Sequence, residues 1–192
     1  MPSRKSVAFL LVWSFISTSC QAFNVLQRVS PKAPLKQQLL QLCRQKPERA
    51  TIESYVDQLA PLSPVQATAA SPLLQKKWKL QYTTEKEINL FIDQGWSPPG
   101  SIYQIIDGNR LENCIPFVNG GSLGVQGTLS IPDRAGQRTN FVFSEATLDL
   151  GRWGSYRIPP VGQGWFDTLY LDRDLRIDIN SRNDLLICTA ER

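Results

Sequence analysis

The chain contains no histidine. That absence removes the Ser-His-Asp triad, the Cys-His pair, the imidazole metal ligand and the imidazole proton shuttle, and with them most hydrolase and metalloenzyme chemistry. Cysteine is sparse. Cys20, Cys43, Cys114 and Cys188 form no CxxC and keep no regular interval, which argues against a zinc site or a disulfide framework and for buried or incidental thiols. No segment reaches about 18 consecutive apolar residues, so no transmembrane helix is expected in the mature chain. Acids are scarce at the start: residues 1–50 hold eight Lys or Arg against one acid, a balance of +7. Residues 51–192 hold 13 basic and 16 acidic residues, a balance of −3. A nucleic-acid binder carries its positive charge on the folded part, so nucleic acid is not an expected partner.

What is present, 192 residues with 42% apolar content, fits one folded domain preceded by targeting sequence. Met1 to Lys5 are basic, and "VAFLLVWSFI" (Val7 to Ile16) is an apolar run of signal-peptide length. Cys20 and Ala22 are small residues placed for a cut before Phe23. The next stretch carries Arg28, Lys32, Lys36, Arg44 and Lys46 and no acid before Glu48, like a plastid transit peptide. A signal peptide over residues 1–22, a transit-like segment over 23–33 and a folded domain over 34–192 are therefore expected. A plain secreted protein is the alternative.

"PLKQQLLQLCRQ" (Pro34 to Gln45) and "TIESYVDQLAPL" (Thr51 to Leu62) have helical spacing, with Pro34 placed to start the first and Thr51 to cap the second. From Trp78 onward the texture is of short alternating runs divided by turn residues, with almost no helix among them. About eight or nine strands of this kind predict an antiparallel barrel or sandwich. "NGGSLG" (Asn119 to Gly124) lacks the Lys-Ser/Thr ending of a P-loop and reads as a turn. "GRWGSYRIPPVGQGW" (Gly151 to Trp165) is a loop rich in Pro, Gly and aromatics, suited to a rim lid or to a lipid interface.

The run "GWFDTLYLDRDLRIDIN" (Gly164 to Asn180) alternates with particular regularity at its end. Leu175, Ile177 and Ile179 fall on one parity, and Arg176, Asp178 and Asn180 on the other. Asp167, Asp172, Asp174 and Asp178 could be read as paired carboxylates for acid–base work, but turn and strand-edge placement accounts for them better. The aromatics, among them Trp78, Tyr82, Phe143 and Tyr170, suit either a filled core or a ligand cavity.

"LLQKKWKLQYTT" (Leu73 to Thr84), "GSIYQIID" (Gly100 to Asp107) and "GWFDTLYLDRDLRI" (Gly164 to Ile177) occur in that order. Together they resemble the L-x-G-x-W-x-L-x-Y-T-T opening and the Y-L-D-x-D-L-R-I signature of plastid lipid-associated proteins, the fibrillin family. Two departures stand out: Lys76 replaces the Gly before the Trp, and Asp178, Ile179 and Asn180 replace a small residue, Arg and Gly.

The resemblance implies a mainly β chain with N-terminal helices, a lipocalin-like antiparallel β-barrel of about eight strands. It implies binding or organisation of an apolar lipid or pigment, such as a carotenoid or quinone, at plastoglobule or thylakoid surfaces, without catalysis and without a cofactor. It also implies that Trp78 packs on Arg176 at the closed end. The ligand-binding candidates are Trp78, Tyr82, Phe143, Tyr170, Arg176 and Asp178, with Asp178 the polar group nearest the ligand and the Leu/Ile face lying under the helices. Two other functions are kept in view: a lipocalin-like isomerase or cyclase acting on a lipid, and a lipid-droplet coat protein with no cavity.

Overall fold

The computed structural model of the chain describes residues 32–132, 136–159 and 162–191. The expected signal segment, and all but the end of the transit-like one, lie outside them. Helix α1 (Lys32–Cys43) turns Leu39 and Cys43 inward and α2 (Arg49–Leu59) turns Ile52, Val56 and Leu59 inward, the stripes their spacing predicts. α1 begins two residues early, and the cap of α2 lies three residues early. Pro34 sits within the first turn of α1, and α2 opens after Glu48 rather than at Thr51. Three short 3-10 turns, Ala60–Leu62, Thr68–Ala70 and Pro72–Leu74, carry the chain to the first strand.

Nine strands follow among the described residues: β1 (Lys77–Thr83), β2 (Tyr103–Asp107), β3 (Arg110–Pro116), β4 (Ser122–Ser130), β5 (Arg138–Asp149), β6 (Ser155–Ile158), β7 (Gln163–Leu171), β8 (Leu175–Asn180) and β9 (Leu185–Ala190). All neighbours pair antiparallel, in the order β4-β3-β2-β1-β9-β8-β7-β5, and a β4–β5 pairing closes the eight into a ring. β6 stands outside the ring count. It pairs with the second half of β5 (Ala146 to Asp149), while β7 pairs with the first half (Arg138 to Val142). The expected turn at Asn119–Gly124 is shorter than its motif, since Ser122, Leu123 and Gly124 already belong to β4.

One helix was not expected among the strands: α3 (Lys86–Asp93), between β1 and β2. Its segment "KEINLFID" is too short to show a sustained period, and it presents no fully buried residue.

The apolar residues sort onto two sides of the ring wall. Outside, α1 and α2 pack on Tyr170, Leu175, Ile177, Leu185 and Ile187. Inside, Trp78, Ile106, Leu111, Phe166, Leu171 and Cys188 pack with Leu74 of the last 3-10 turn. In the alternating run at the end of Gly164–Asn180, Leu175 and Ile177 thus lie under the helices, and Arg176 and Asp178 face the interior.

The two ends of the ring differ. At one, the 3-10 segment plugs the interior: Trp78 donates its indole N–H to the Leu74 carbonyl at 2.8 Å, and Thr68 Oγ1 donates to the Thr168 carbonyl at 2.9 Å. At the other, α3 and the β6–β7 region border an opening.

Candidate functional site

The interior holds a cavity of about 100 Å³. Its walls are largely apolar: Trp78, Leu80, Ile102, Leu111, Phe141 and Phe166 are among them. Past Phe141 and Phe143 it leads to an outer vestibule of about 510 Å³ bordered by α3, β4, β5 and the start of β7. The two spaces share Glu85, Ile88, Asn113, Ile115, Phe141, Phe143 and Asn180, whereas Trp78, Gln104, Arg176 and Asp178 belong to the inner one alone.

Arg176 is the centre of the floor. It is fully buried, and its guanidinium lies 5.1 Å from the Trp78 ring centroid, a desolvated cation–π contact. Nη2 donates to Gln104 Oε1 at 2.6 Å and weakly to Cys188 Sγ at 3.8 Å. Nε stands 2.9 Å from Asp178 Oδ2, an ion-pair contact whose angle falls outside a hydrogen bond. Nη1 finds no acceptor among the described residues. An unmade hydrogen bond on a buried guanidinium is costly, so this is the most conspicuous polar feature of the interior.

Asp178, 2% exposed, has both oxygens engaged, Oδ1 by the Thr168 hydroxyl at 2.7 Å and Oδ2 by Arg176. Burial pushes its carboxyl up from the ordinary range, against the pull of Arg176 and of the Thr168 hydroxyl. It lines the cavity as expected, but its oxygens are committed to protein partners before any ligand arrives.

Of the other expected site residues, Trp78 and Phe143 line the cavity, and Tyr82 and Tyr170 do not. Both of the latter lie on the helix side. The cause is the same in each case. The β1–β9 register shifts between Leu80 and Tyr82, so Leu80 pairs with inward Cys188 while Tyr82 pairs with outward Ile187. The β7–β8 register shifts between Thr168 and Tyr170, so Thr168 pairs with Asp178 and Tyr170 with Ile177. Each bulge inserts one residue and carries the following side chain to the other face. Tyr170 instead donates its hydroxyl to Asp172 Oδ2 at 2.6 Å, which holds the phenol well above its usual range behind the larger effect of burial.

The remaining acids behave as turn and wall residues. Asp172 accepts the amides of Asp174 and Leu175 at 2.8 Å each and the Lys36 ammonium at 2.6 Å, which ties α1 to the β7–β8 turn. Asp167 takes a two-pronged contact from Arg138 at 2.9 and 2.7 Å. Lys76, at the family's glycine position, lies over Trp78 at 5.6 Å and donates to the Arg173 carbonyl at 2.6 Å, adding to the closed end.

The sequence reading missed Gln104, Asn113, Glu85 and Ile88. Two of these carried a signal. Gln104 sits between Ile102 and Ile106, and Asn113 between Leu111 and Ile115, each a polar residue in the middle of an apolar, inward parity. Glu85 precedes α3; burial pushes its carboxyl up, with Arg182 pulling it down, and it accepts from Asn180 Nδ2 at 2.8 Å.

The exposed large apolar side chains gather at the open end. Leu90, Trp96, Val118, Leu150, Trp153, Tyr156 and Ile158 all belong to α3, β6 or the loops there; Ile131 and Val142 lie elsewhere. No helix among the described residues is long and apolar enough to cross a membrane.

The chain is 35% identical over 119 residues, 59% of its length, to a protein of Arabidopsis thaliana named "Probable plastid-lipid-associated protein 11, chloroplastic", and it spans 55% of that relative's length. No solved structure gives a significant match. The sequence profile of PAP_fibrillin matches residues 35–189, most of the chain and nearly all of the folded part, so the protein belongs to the PAP_fibrillin family.

Proposed function

We propose that this protein is a non-catalytic, peripheral lipid-binding protein of plastid lipid surfaces, such as plastoglobules and thylakoids, and that its interior takes the end group of an apolar prenyl-lipid such as a carotenoid or quinone. The observation that carries the reading is the coincidence of two features at one end: the opening of an apolar cavity and a cluster of exposed Trp, Tyr and Leu side chains. Trp and Tyr suit a lipid interface, where the ring is apolar and its N–H or O–H stays wet. Volume limits what enters. Pockets for a whole drug-sized ligand run from about 300 Å³ upward, and the inner cavity is about 100 Å³. A ring fits there, and the chain of the lipid passes through the vestibule to the surface. The family and the chloroplastic relative support the plastid setting.

Mass spectrometry of lipids copurifying with the full-length protein, with flotation on galactolipid vesicles, tests the proposal. Prenyl-lipid should copurify, and Trp96→Ala with Trp153→Ala should reduce flotation severalfold. Absence of both effects overturns it. The two-part presequence is the proposed route into the plastid. A fluorescent fusion of residues 1–50 should enter a complex plastid, and Phe23→Ala should leave it in an outer compartment.

A second reading, a lipid isomerase or cyclase, draws on the buried carboxyls raised in pKa at the cavity wall. With Asp178 engaged at both oxygens, Glu85 is the group that reading requires. Turnover of a lipid substrate abolished by Glu85→Gln would favour it.

A further inference from the structure

The ring wall has a window beside its open end. β1 runs to Thr83, but its pairing with β2 ends at Lys79 opposite Tyr103. Past that point Leu80 and Ile102 line both the inner cavity and a groove on the helix side. Helix α3 lies at this window, where Asn89 Nδ2 donates to the Thr83 carbonyl at 3.0 Å. Ile88 borders the inner cavity and the vestibule, Phe91 the vestibule and a groove of the aromatic end, and Ile92 the helix-side groove. These three side chains fall at i, i+3 and i+4, one face of a helix. None of them is fully buried, because that face borders open spaces as well as neighbours.

Weak ties hold the helix in place. Near its start Glu87 takes a two-pronged contact from Arg182 of the β8–β9 turn, at 2.7 and 3.2 Å. At its end Asp93 pairs with Lys46 of the α1–α2 turn. All four side chains are more than half exposed, and such pairs are weak and screened by salt. The flanking chain is fixed by backbone bonds. The Thr84 amide donates to the Leu185 carbonyl at 3.1 Å, and the Trp96 carbonyl accepts the Val118 amide at 2.9 Å. Between α3 and the second anchor stands Gly95, at φ +69° with open space where a Cβ would be, which makes it a joint.

Resting on the cavity reading above, we infer that α3 is a lid on the cavity, closed in water and opened by contact with a lipid surface, so that ligand exchanges at that surface and not through solution. Opening in water exposes the apolar face of α3 and the cavity wall together, which holds the lid shut. At a lipid surface the same face enters the interface, as amphipathic helices do, beside Leu90 and Trp96, which are already half exposed. The surface thus interacts more favourably with the open state, the condition for shifting a two-state equilibrium.

The test loads the full-length protein with diphenylhexatriene, a slender apolar fluorophore, and follows its transfer to galactolipid vesicles doped with a quencher lipid. The transfer rate should rise in proportion to vesicle concentration, and release to cyclodextrin without vesicles should be slower by about tenfold or more, a barrier difference of about 1.4 kcal/mol. Combined Arg182→Ala and Lys46→Ala should speed release without vesicles severalfold. Added salt should speed that release in the parent and have little effect in the double variant. Joining Glu87→Cys to Arg182→Cys with a reducible bismaleimide should stop transfer, and reduction should restore it, with the parent treated alike as control. A transfer rate independent of vesicle concentration overturns opening at the surface, and transfer undiminished by the bridge overturns the lid. Both of those outcomes leave the cavity reading standing. Failure of the unmodified protein to bind diphenylhexatriene overturns the cavity reading and the lid together.

Discussion

At the closed end of the ring Trp78 is wholly buried, its N–H bonded to a backbone carbonyl and its face covered by Arg176; at the open end Trp96 and Trp153 keep 52% and 68% of their surface exposed. Each end even repeats the same pairing, since Arg152 lies over the Trp153 ring at 4.9 Å much as Arg176 lies over Trp78 at 5.1 Å. The difference is solvent. A cation–π contact is worth about 0.5–1 kcal/mol when exposed and about 2 kcal/mol or more when desolvated. The closed end uses its aromatic to hold the fold, and the open end keeps its aromatics available to a surface.

The sharpest way to break this contrast is truncation. Trp78→Ala should lower unfolding free energy by about 3–5 kcal/mol, the usual cost of a large core aromatic. Trp153→Ala should change it by no more than about 0.5 kcal/mol, as surface substitutions do. Urea melts measure both, and near-equal losses would erase the distinction between the ends. Next in size is Asp178→Ala. Losing the carboxylate leaves an uncompensated buried guanidinium, which should cost about 3–5 kcal/mol; Asp178→Ala melting like the parent would refute the ion pair.

A smaller effect separates the two cation–π pairs. A double-mutant cycle of Trp78→Phe with Arg176→Lys should give a coupling of about 1–2 kcal/mol. The cycle of Trp153→Phe with Arg152→Lys should stay below about 0.5 kcal/mol.

The smallest expected effect is in pH dependence, and its sign reverses between the ends. At the closed end burial pushes Asp172 up, but Lys36, the Tyr170 hydroxyl and the amides of Asp174 and Leu175 outweigh it and hold the carboxyl below its ordinary 3.8. Its stabilisation is full above that value and is lost as pH falls through the lower folded pKa. At the open end burial raises Glu85 above its ordinary 4.5, so its contribution is present below that value and lost as pH rises through the folded pKa. In melting temperature against pH, Asp172→Ala should flatten the acid limb, and Glu85→Gln should raise stability near neutrality. Identical profiles for the two variants would remove the contrast.

Much of this was legible beforehand, and the two misplaced side chains share a cause. Alternating runs from Trp78 onward predicted about eight or nine strands, and nine lie among the described residues; period two put Leu175 and Ile177 on one face and Arg176 on the other, and the family resemblance made Arg176 the inward one, on Trp78. Alternation assumes an unbroken pleat. Where β1 and β7 each carry an extra residue, the count slips by one, and Tyr82 and Tyr170 end on the wrong side. Nothing in "YLDRD" or "LQYTT" announces a bulge, because a bulge here is a property of the pairing and not of one strand. Helix α3 escaped for a different reason: at eight residues its apolar spacing is shorter than the window that separates helix from loop. β6 lies within the Pro- and Gly-rich stretch Gly151–Trp165 expected as a loop, whose "SYRIPP" also reads as a short strand, and its position beside β5 follows from where β7 leaves that edge.

The seam between β4 and β5 has a consequence for how the protein behaves in a crowd. The two strands approach so closely at Gly127 that a Cβ there would sit 2.5 Å from the Val142 carbonyl oxygen, and the register shifts at that residue. Glycine permits the seam, and the seam removes the free edges that an open eight-stranded sheet would present. Unpaired edges template strand addition from neighbouring chains, the usual start of aggregation. Among the ring strands that route is shut. The strand left outside the count, β6, is four residues long and carries Arg157, 84% exposed at its side chain, both features that blunt an edge. What the ring offers to a neighbour is thereby the exposed apolar side chains of the aromatic end and not a free backbone edge.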